Sequence, residues 1–315
     1  MLTKAIKYPA TRGGHDINAK VWAPDRTEDA VAIFQLAHGM REYVERYQEF
    51  AEFMVSEGFI VAMNDHTGHG SSVHEMRGYF GEKDGWSNMV EDMRSLTKIV
   101  ASEHPGLPVF LMGHSMGSFL ARIYVSRHGS ELAGAIFSGT ASTPGTLSAG
   151  LALARLLASR IPKAPAKLVN TLSSIGYNDK FKPVVTGSEW LTRDEEKVRV
   201  FNGNPKAQFI FTNRGYVDLF EMIQQSNKKE CADKTPKSLP ILLISGSEDP
   251  VGTYGKGVLL VMRQLVDAGC KDVEMKLYGP GRHEMLNELN KDEVYSQIAF
   301  WLRTKMTLAG TRKKS

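Results

Sequence analysis

Gly113-His114-Ser115-Met116-Gly117 comes directly after the short apolar run Pro108-Val109-Phe110-Leu111-Met112, and Phe119-Leu120-Ala121-Arg122-Ile123-Tyr124 continues beyond it with helical patterning. A G-x-S-x-G pentapeptide between a strand and a helix is the context in which a serine becomes a nucleophile, because a sharp turn holds its Oγ clear of the sheet. Glycines two residues either side of Ser115 leave room where strand and helix nearly touch. The pentapeptide by itself is common in loops. Its neighbours on both sides give it weight.

Outward from this turn, strands and helices alternate. Ile17-Asn18-Ala19-Lys20-Val21-Trp22 alternates as a half-buried antiparallel strand does, with Gly13-Gly14 as the turn before it. Val31 to Ala37 is nearly continuous in apolar residues, the pattern of a strand covered on both faces. Tyr47 to Glu57 reads as a helix with Phe50, Phe53 and Met54 on one side, Phe59 to Asn64 as the next strand, and Trp86 to Ser102 as a longer helix. Ala133 to Ser138 is another buried strand. Residues 142–234 then hold no strong strand and several helical patterns. Pro240 to Ser245 and Val273 to Tyr278 resume the sheet, and Val294 to Leu302 closes with a helix. The alternation implies an α/β fold: a mostly parallel central sheet with helices on both faces. It divides into core over 1–140, an inserted helical cap over 141–236, core again over 237–303 and a basic tail over 304–315.

A serine hydroxyl is a poor nucleophile at neutral pH and needs a base in hydrogen-bond reach, with an acid to orient that base. In a fold of this kind the three follow in the order serine, acid, histidine. Two histidines lie downstream of Ser115, and His128 precedes every candidate acid, which leaves His283 in Tyr278-Gly279-Pro280-Gly281-Arg282-His283-Glu284. Asp249, in Gly246-Ser247-Glu248-Asp249-Pro250-Val251, follows a strand's carboxyl end, where catalytic groups of open α/β sheets gather. Glu248 is its competitor; Pro250 biases Asp249 to extended backbone. The oxyanion that develops during acyl transfer needs two preorganised donors. One is the backbone N–H of Met116, at the start of the elbow helix. The other is that of Met40, in the turn His38-Gly39-Met40. His38 is read as a structural hydrogen-bond partner, and the two methionine side chains as core.

Several function classes are excluded. The chain is 42% hydrophobic and 23% charged, ordinary for a folded domain. Its net charge of +4 falls to −1 once the five basic residues of the last thirteen are set aside, so no nucleic-acid groove is expected. Asn64-Asp65-His66-Thr67-Gly68-His69-Gly70-Ser71, with His74 nearby, matches no zinc spacing and reads as a tight turn, so no metal is expected. No G-x-G-x-x-G or Walker sequence occurs, and no cofactor is expected. Two isolated cysteines, no signal-peptide core and no bilayer-length apolar stretch predict a cytoplasmic protein that meets lipid as monomer, micelle or membrane surface.

Together these residues resemble the α/β-hydrolase superfamily, in its monoacylglycerol lipase and lysophospholipase-like branch. The resemblance runs over nearly the whole chain. His38-Gly39-Met40 with Glu42, Arg46 and Tyr47 is similar to that branch's oxyanion segment, and Asp65-His66 with Gly68-His69-Gly70 and Ser72 to its next loop. Asp249-Pro250-Val251 and Arg282-His283-Glu284 resemble its acid and histidine turns. Trp190-Leu191-Thr192-Arg193-Asp194, Phe209 to Asn213 and Asp218-Leu219 resemble its cap segments. Tyr43 stands where the family often has histidine and Thr67 where arginine is common, both on the approach to the site. The resemblance implies a cofactor-independent serine carboxylester hydrolase acting on monoacylglycerol or lysophospholipid, with possible transient contact to a membrane surface. Short soluble esters or thioesters, and a catalytically silent binding protein of the same fold, are the alternatives. The apolar stripe Leu147, Leu151, Ala154, Leu157 and Ala158 suits either burial within the cap or a greasy lid face. Which residues bind substrate is not legible, nor is the oligomeric state.

Overall fold

The computed structural model describes residues 1–312, with side chains through Thr307. The apolar run after Val31 forms β3 (Ala32–Ala37), and all six of its residues are buried. β3 lies inside an eight-stranded sheet whose spatial order is β1-β2-β4-β3-β5-β6-β7-β8. The other strands are β1 (Leu2–Pro9), β2 (Asp16–Ala23), β4 (Phe59–Asn64), β5 (Val109–His114), β6 (Gly134–Ser138), β7 (Ile241–Gly246) and β8 (Val273–Tyr278). β2 pairs antiparallel with β1 and β4, and every later pairing is parallel. Parallel strands need crossovers, and the helices that supply them cover both faces. α1 (Gln48–Ser56) and α10 (Lys291–Arg312) pack on one face around Phe34, Phe59 and Phe110. α2 (Gly85–Glu103), α3 (Met116–His128) and α9 (Lys256–Asp267) pack on the other around Leu111, Phe137 and Leu243.

Between β6 and β7 the chain forms α4 (Leu147–Ala158), α5 (Lys167–Ser173), α6 (Glu195–Gly203), α7 (Asn213–Ser226) and α8 (Lys229–Lys234). Among the described residues this insert holds no strand, only the isolated bridge Pro165–Thr212. Leu147, Leu151 and Ala154 of the apolar stripe are buried, while Leu156 beside them is 63% exposed. The stripe is therefore packing, and the exposed apolar side chain is its neighbour.

Two elements differ from the sequence reading. α9 is absent from that reading although its sequence carries the pattern: Val258, Val261, Met262 and Leu265 recur at helical spacing, and they pack on the sheet. The closing helix begins earlier and runs through Arg312, into the stretch read as tail. Met306 extends its apolar face, and Lys305 reaches Asp272 and Glu274 of the β8 region at 2.7 and 2.8 Å. Lys313 and Lys314 of that tail lie outside the described residues.

Candidate active site

Ser115 is the single residue between β5 and α3, and the chain reverses there with φ 52° and ψ −120°. A non-glycine residue in this region stores about 1–3 kcal/mol, held only where surrounding structure over-determines it. The holding contacts are backbone ones: Ser115 N donates to Ser138 O at 2.9 Å, and Ser118 N donates to Ser115 O at 2.8 Å. Gly117 is required by close approach, since a Cβ there would overlap the carbonyl of Ala37 at the end of β3.

His283 Nε2 lies 2.8 Å from Ser115 Oγ, and His283 Nδ1 lies 3.0 Å from Asp249 Oδ1. Asp249 is fully buried; its Oδ2 accepts from Ser245 Oγ at 2.8 Å and its Oδ1 from Val251 N at 2.9 Å. With Nδ1–H donated to the carboxylate, Nε2 is left as the acceptor for the serine hydroxyl. Burial works to lower the pKa of His283, but the Asp249 carboxylate outweighs it and the net direction is up from 6.5. Burial works to raise Asp249, and the imidazole with its hydrogen bonds holds it below its usual value. Glu248, the sequence competitor, is half-buried outside this relay, its amide donating to Gly281 O.

The turn after β3 lies against the serine. A Cβ on Gly39 would stand 3.1 Å from Ser115 Cβ and 2.8 Å from Glu42 Oε2. Met116 opens α3, where the first amides have no intrahelical partner. The Met40 amide donates to no backbone or side chain among the described residues. His38 is structural: its Nε2 accepts from His66 N at 3.0 Å, and its Nδ1 lies 2.8 Å from Gly39 O. Tyr43 and Thr67, both read as lining the approach, are buried; Thr67 Oγ1 lies 3.1 Å from His15 Nε2.

Glu42, Arg46 and Glu284, which in the sequence only carry the family resemblance, act here as a unit. Arg46 binds Glu42 at 3.1 Å and Glu284 at 2.6 Å; both carboxylates are buried and the arginine side chain is 7% exposed. Glu42 Oε2 accepts from Gly39 N at 2.6 Å and from Tyr47 OH at 2.8 Å, which pins the turn of Met40. Burial works to raise Glu42, yet His114, Arg46 and its other partners hold it at about 2, whereas burial wins at Glu284, which is raised. One guanidinium thus joins the turn beside Ser115 to the residue after His283. Spacing hints at the Glu42–Arg46 pair, four residues apart; nothing in the sequence couples either to Glu284.

Glu42, His114 and Glu284 form the one group of possible metal ligands among the described residues, but Arg46 already supplies its positive charge. His66, His69 and His74 form no such group.

The insert closes over the histidine. Trp190 packs on the His283 ring at 5.0 Å, Glu284 N donates to Leu191 O at 2.7 Å, and Arg282 Nη1 donates to Glu189 O at 2.6 Å. Buried Glu288 adds Arg193 at 2.8 Å and the amide of Arg282 at 2.8 Å. The segment Glu189–Arg193 is therefore stapled to the loop that carries His283.

Known proteins resemble this chain over most of its length. The chain is 28% identical over 292 residues to a monoacylglycerol lipase of Mycolicibacterium smegmatis, covering 92% of this chain and 94% of that one. It is 28% identical over 302 residues to the monoglyceride lipase of Homo sapiens, covering 95% and 90%. The crystal structure of a thermostable carboxyl esterase from Bacillus coagulans, in complex with glycerol, superposes with a TM-score of 0.89 at 31% identity, covering 97% and 99%. Residues 28–290 match the Hydrolase_4 family model, described as serine aminopeptidase, S33. The chain is an α/β-hydrolase and belongs to the Hydrolase_4 (S33) family.

Proposed function

We propose that the protein is a serine carboxylic ester hydrolase that turns over monoacyl lipid esters, monoacylglycerol or lysophospholipid, through an acyl-enzyme. The observation that carries this is the continuous relay from Ser115 Oγ through His283 to Asp249, with links of 2.8 and 3.0 Å. Ser115 attacks the ester carbonyl while His283 Nε2 takes its proton and returns it to the leaving alcohol. Water activated by the same imidazole then releases the acid. Asp249 orients the ring and stabilises the imidazolium without itself taking the proton. The amides of Met40 and Met116 receive the oxyanion, and each such donor is worth about 10²–10³ in turnover. The lipase and esterase relatives, matched over nine-tenths or more of both chains, support the ester class.

Residues 141–236 act as the cap, and its outer surface suits transient contact with lipid. Leu156, Ile161, Leu168, Leu172, Ile175 and Val185 are exposed there. Arg155, Arg160, Lys163, Lys167, Lys180 and Lys182 outnumber Asp179 and Glu189 in the same stretch, the mixture that rests on an anionic interface. Among the described residues no helix is long and apolar enough to cross a membrane. The cytoplasm is the compartment we assign, in keeping with free Cys231 and Cys270. Turnover of monoacylglycerols of graded chain length, beside aryl esters and thioesters, tests the reading. Highest kcat/KM on a monoacylglycerol supports it, and turnover confined to thioesters or to none of the three overturns it.

A further inference from the structure

Arg41 directly follows Met40, and its backbone takes φ 63°, a region that non-glycine residues rarely adopt. Its side chain reaches from the oxyanion turn into the insert: Nε donates to Ala207 O at 2.7 Å, and the guanidinium lies 5.3 Å from the ring centre of Phe201. Its Nη1 and Nη2 donate to no group among the described residues, and it makes no ion pair there. Arg46, five residues on, holds two carboxylates. Burial lowers the Arg41 pKa, and among the described residues the Tyr216 phenol is the ionisable group opposing that.

The surroundings of Arg41 lead back to the relay. Tyr216 is within electrostatic reach of both Arg41 and Tyr177, and Tyr177 is in turn within reach of Asp249. Tyr177 packs on Trp190 at 4.8 Å, and Trp190 packs on His283 at 5.0 Å. Trp190 thus stands between Tyr177 and the histidine, on the side of the insert that Arg41 reaches.

A half-buried cation is costly when its lost hydration is replaced by one carbonyl and an aromatic face. The guanidinium fork matches a phosphate or carboxylate bidentately, and the unpartnered Nη donors of the residue that follows Met40 leave that fork available. We propose that Arg41 binds an anionic group on the substrate, so that the protein prefers monoacyl esters with a phosphate or carboxylate headgroup over neutral ones. This rests on the ester-hydrolase reading above.

The test compares the octanoyl esters of glycerol and of glycerol phosphate as soluble monomers, with wild type, Arg41→Gln and Arg41→Lys. Wild type is expected to favour the phosphate ester in kcat/KM. Arg41→Gln should shrink the phosphate-to-neutral ratio by about 10–100-fold, the worth of a charge-assisted hydrogen bond. Arg41→Lys should restore part of that ratio. Inorganic phosphate should compete with the neutral ester in wild type and more weakly in Arg41→Gln. Equal losses on both esters in Arg41→Gln, or a wild type indifferent to the phosphate, overturn the proposal while turnover of the glycerol ester leaves the ester-hydrolase reading standing. If folded wild type turns over neither ester and no fluorophosphonate reacts with Ser115, both fall together.

Discussion

The relay at Ser115 is set by competition between burial and charge at His283. Burial opposes the imidazolium and Asp249 favours it, and Asp249 wins, so the folded pKa lies above 6.5. Because the base must be neutral to accept a proton, kcat/KM should rise with pH along an acid limb whose midpoint lies above 6.5. A midpoint at or below that value in the pH–rate profile would contradict the assignment. Asp249→Asn should lower kcat by about 10⁴ by favouring the wrong tautomer. These three residues were legible in the sequence because each carries a local signature: a glycine-flanked serine after a strand, an Asp-Pro after a strand, a histidine in the last strand's loop. Glu284, Glu288 and Trp190 were not, because their work is done through space on partners 238, 95 and 93 residues away.

At the scale of elements, the elbow depends on how closely α3 approaches β3 and β5. Gly117→Ala should abolish activity and lower the melting temperature, because its Cβ has to displace backbone at Ala37 and His38. Gly203 ends α6 with nothing within 4 Å of its would-be Cβ, so Gly203→Ala should instead raise stability by about 0.4–1 kcal/mol. Equal melting shifts for the two variants would show that crowding at the elbow is not what selects glycine. The inner strands were legible because buried parallel strands read as continuous apolar runs, whereas the edge strand β8 shows itself by alternation. α9 is missing from the sequence analysis although its stripe of Val258, Val261, Met262 and Leu265 is legible at helical spacing; the exposed Leu260 and Val266 only add apolar residues to its outer side. Whether α4 was lid face or packing depended on α7, a partner that its own spacing does not name.

The whole molecule brings together groups far apart in the chain and buries several titratable ones doing so. His69 is fully buried among Phe80, Phe209 and Phe211, and burial drives its pKa well below 6.5. Its folded pKa is depressed, so the stability it contributes is full above 6.5 and is lost as pH falls, because the unfolded chain binds the extra proton. His69→Phe removes that proton uptake. Relative to wild type, the variant should gain up to about 1.4 kcal/mol per pH unit below 6.5, read from urea midpoints; parallel curves would contradict this. The same long-range convergence underlies function, since Ser115 and His283 are 168 residues apart and His283 and Asp249 are 34. The central claim is that this convergence makes one hydroxyl a nucleophile. Mass spectrometry of the protein after treatment with a fluorophosphonate tests it most directly. A single adduct on Ser115, absent from folded Ser115→Ala whose ester turnover has fallen by about 10⁶, is the expected result. Folded wild type without an adduct, or an adduct that persists in Ser115→Ala, would contradict it.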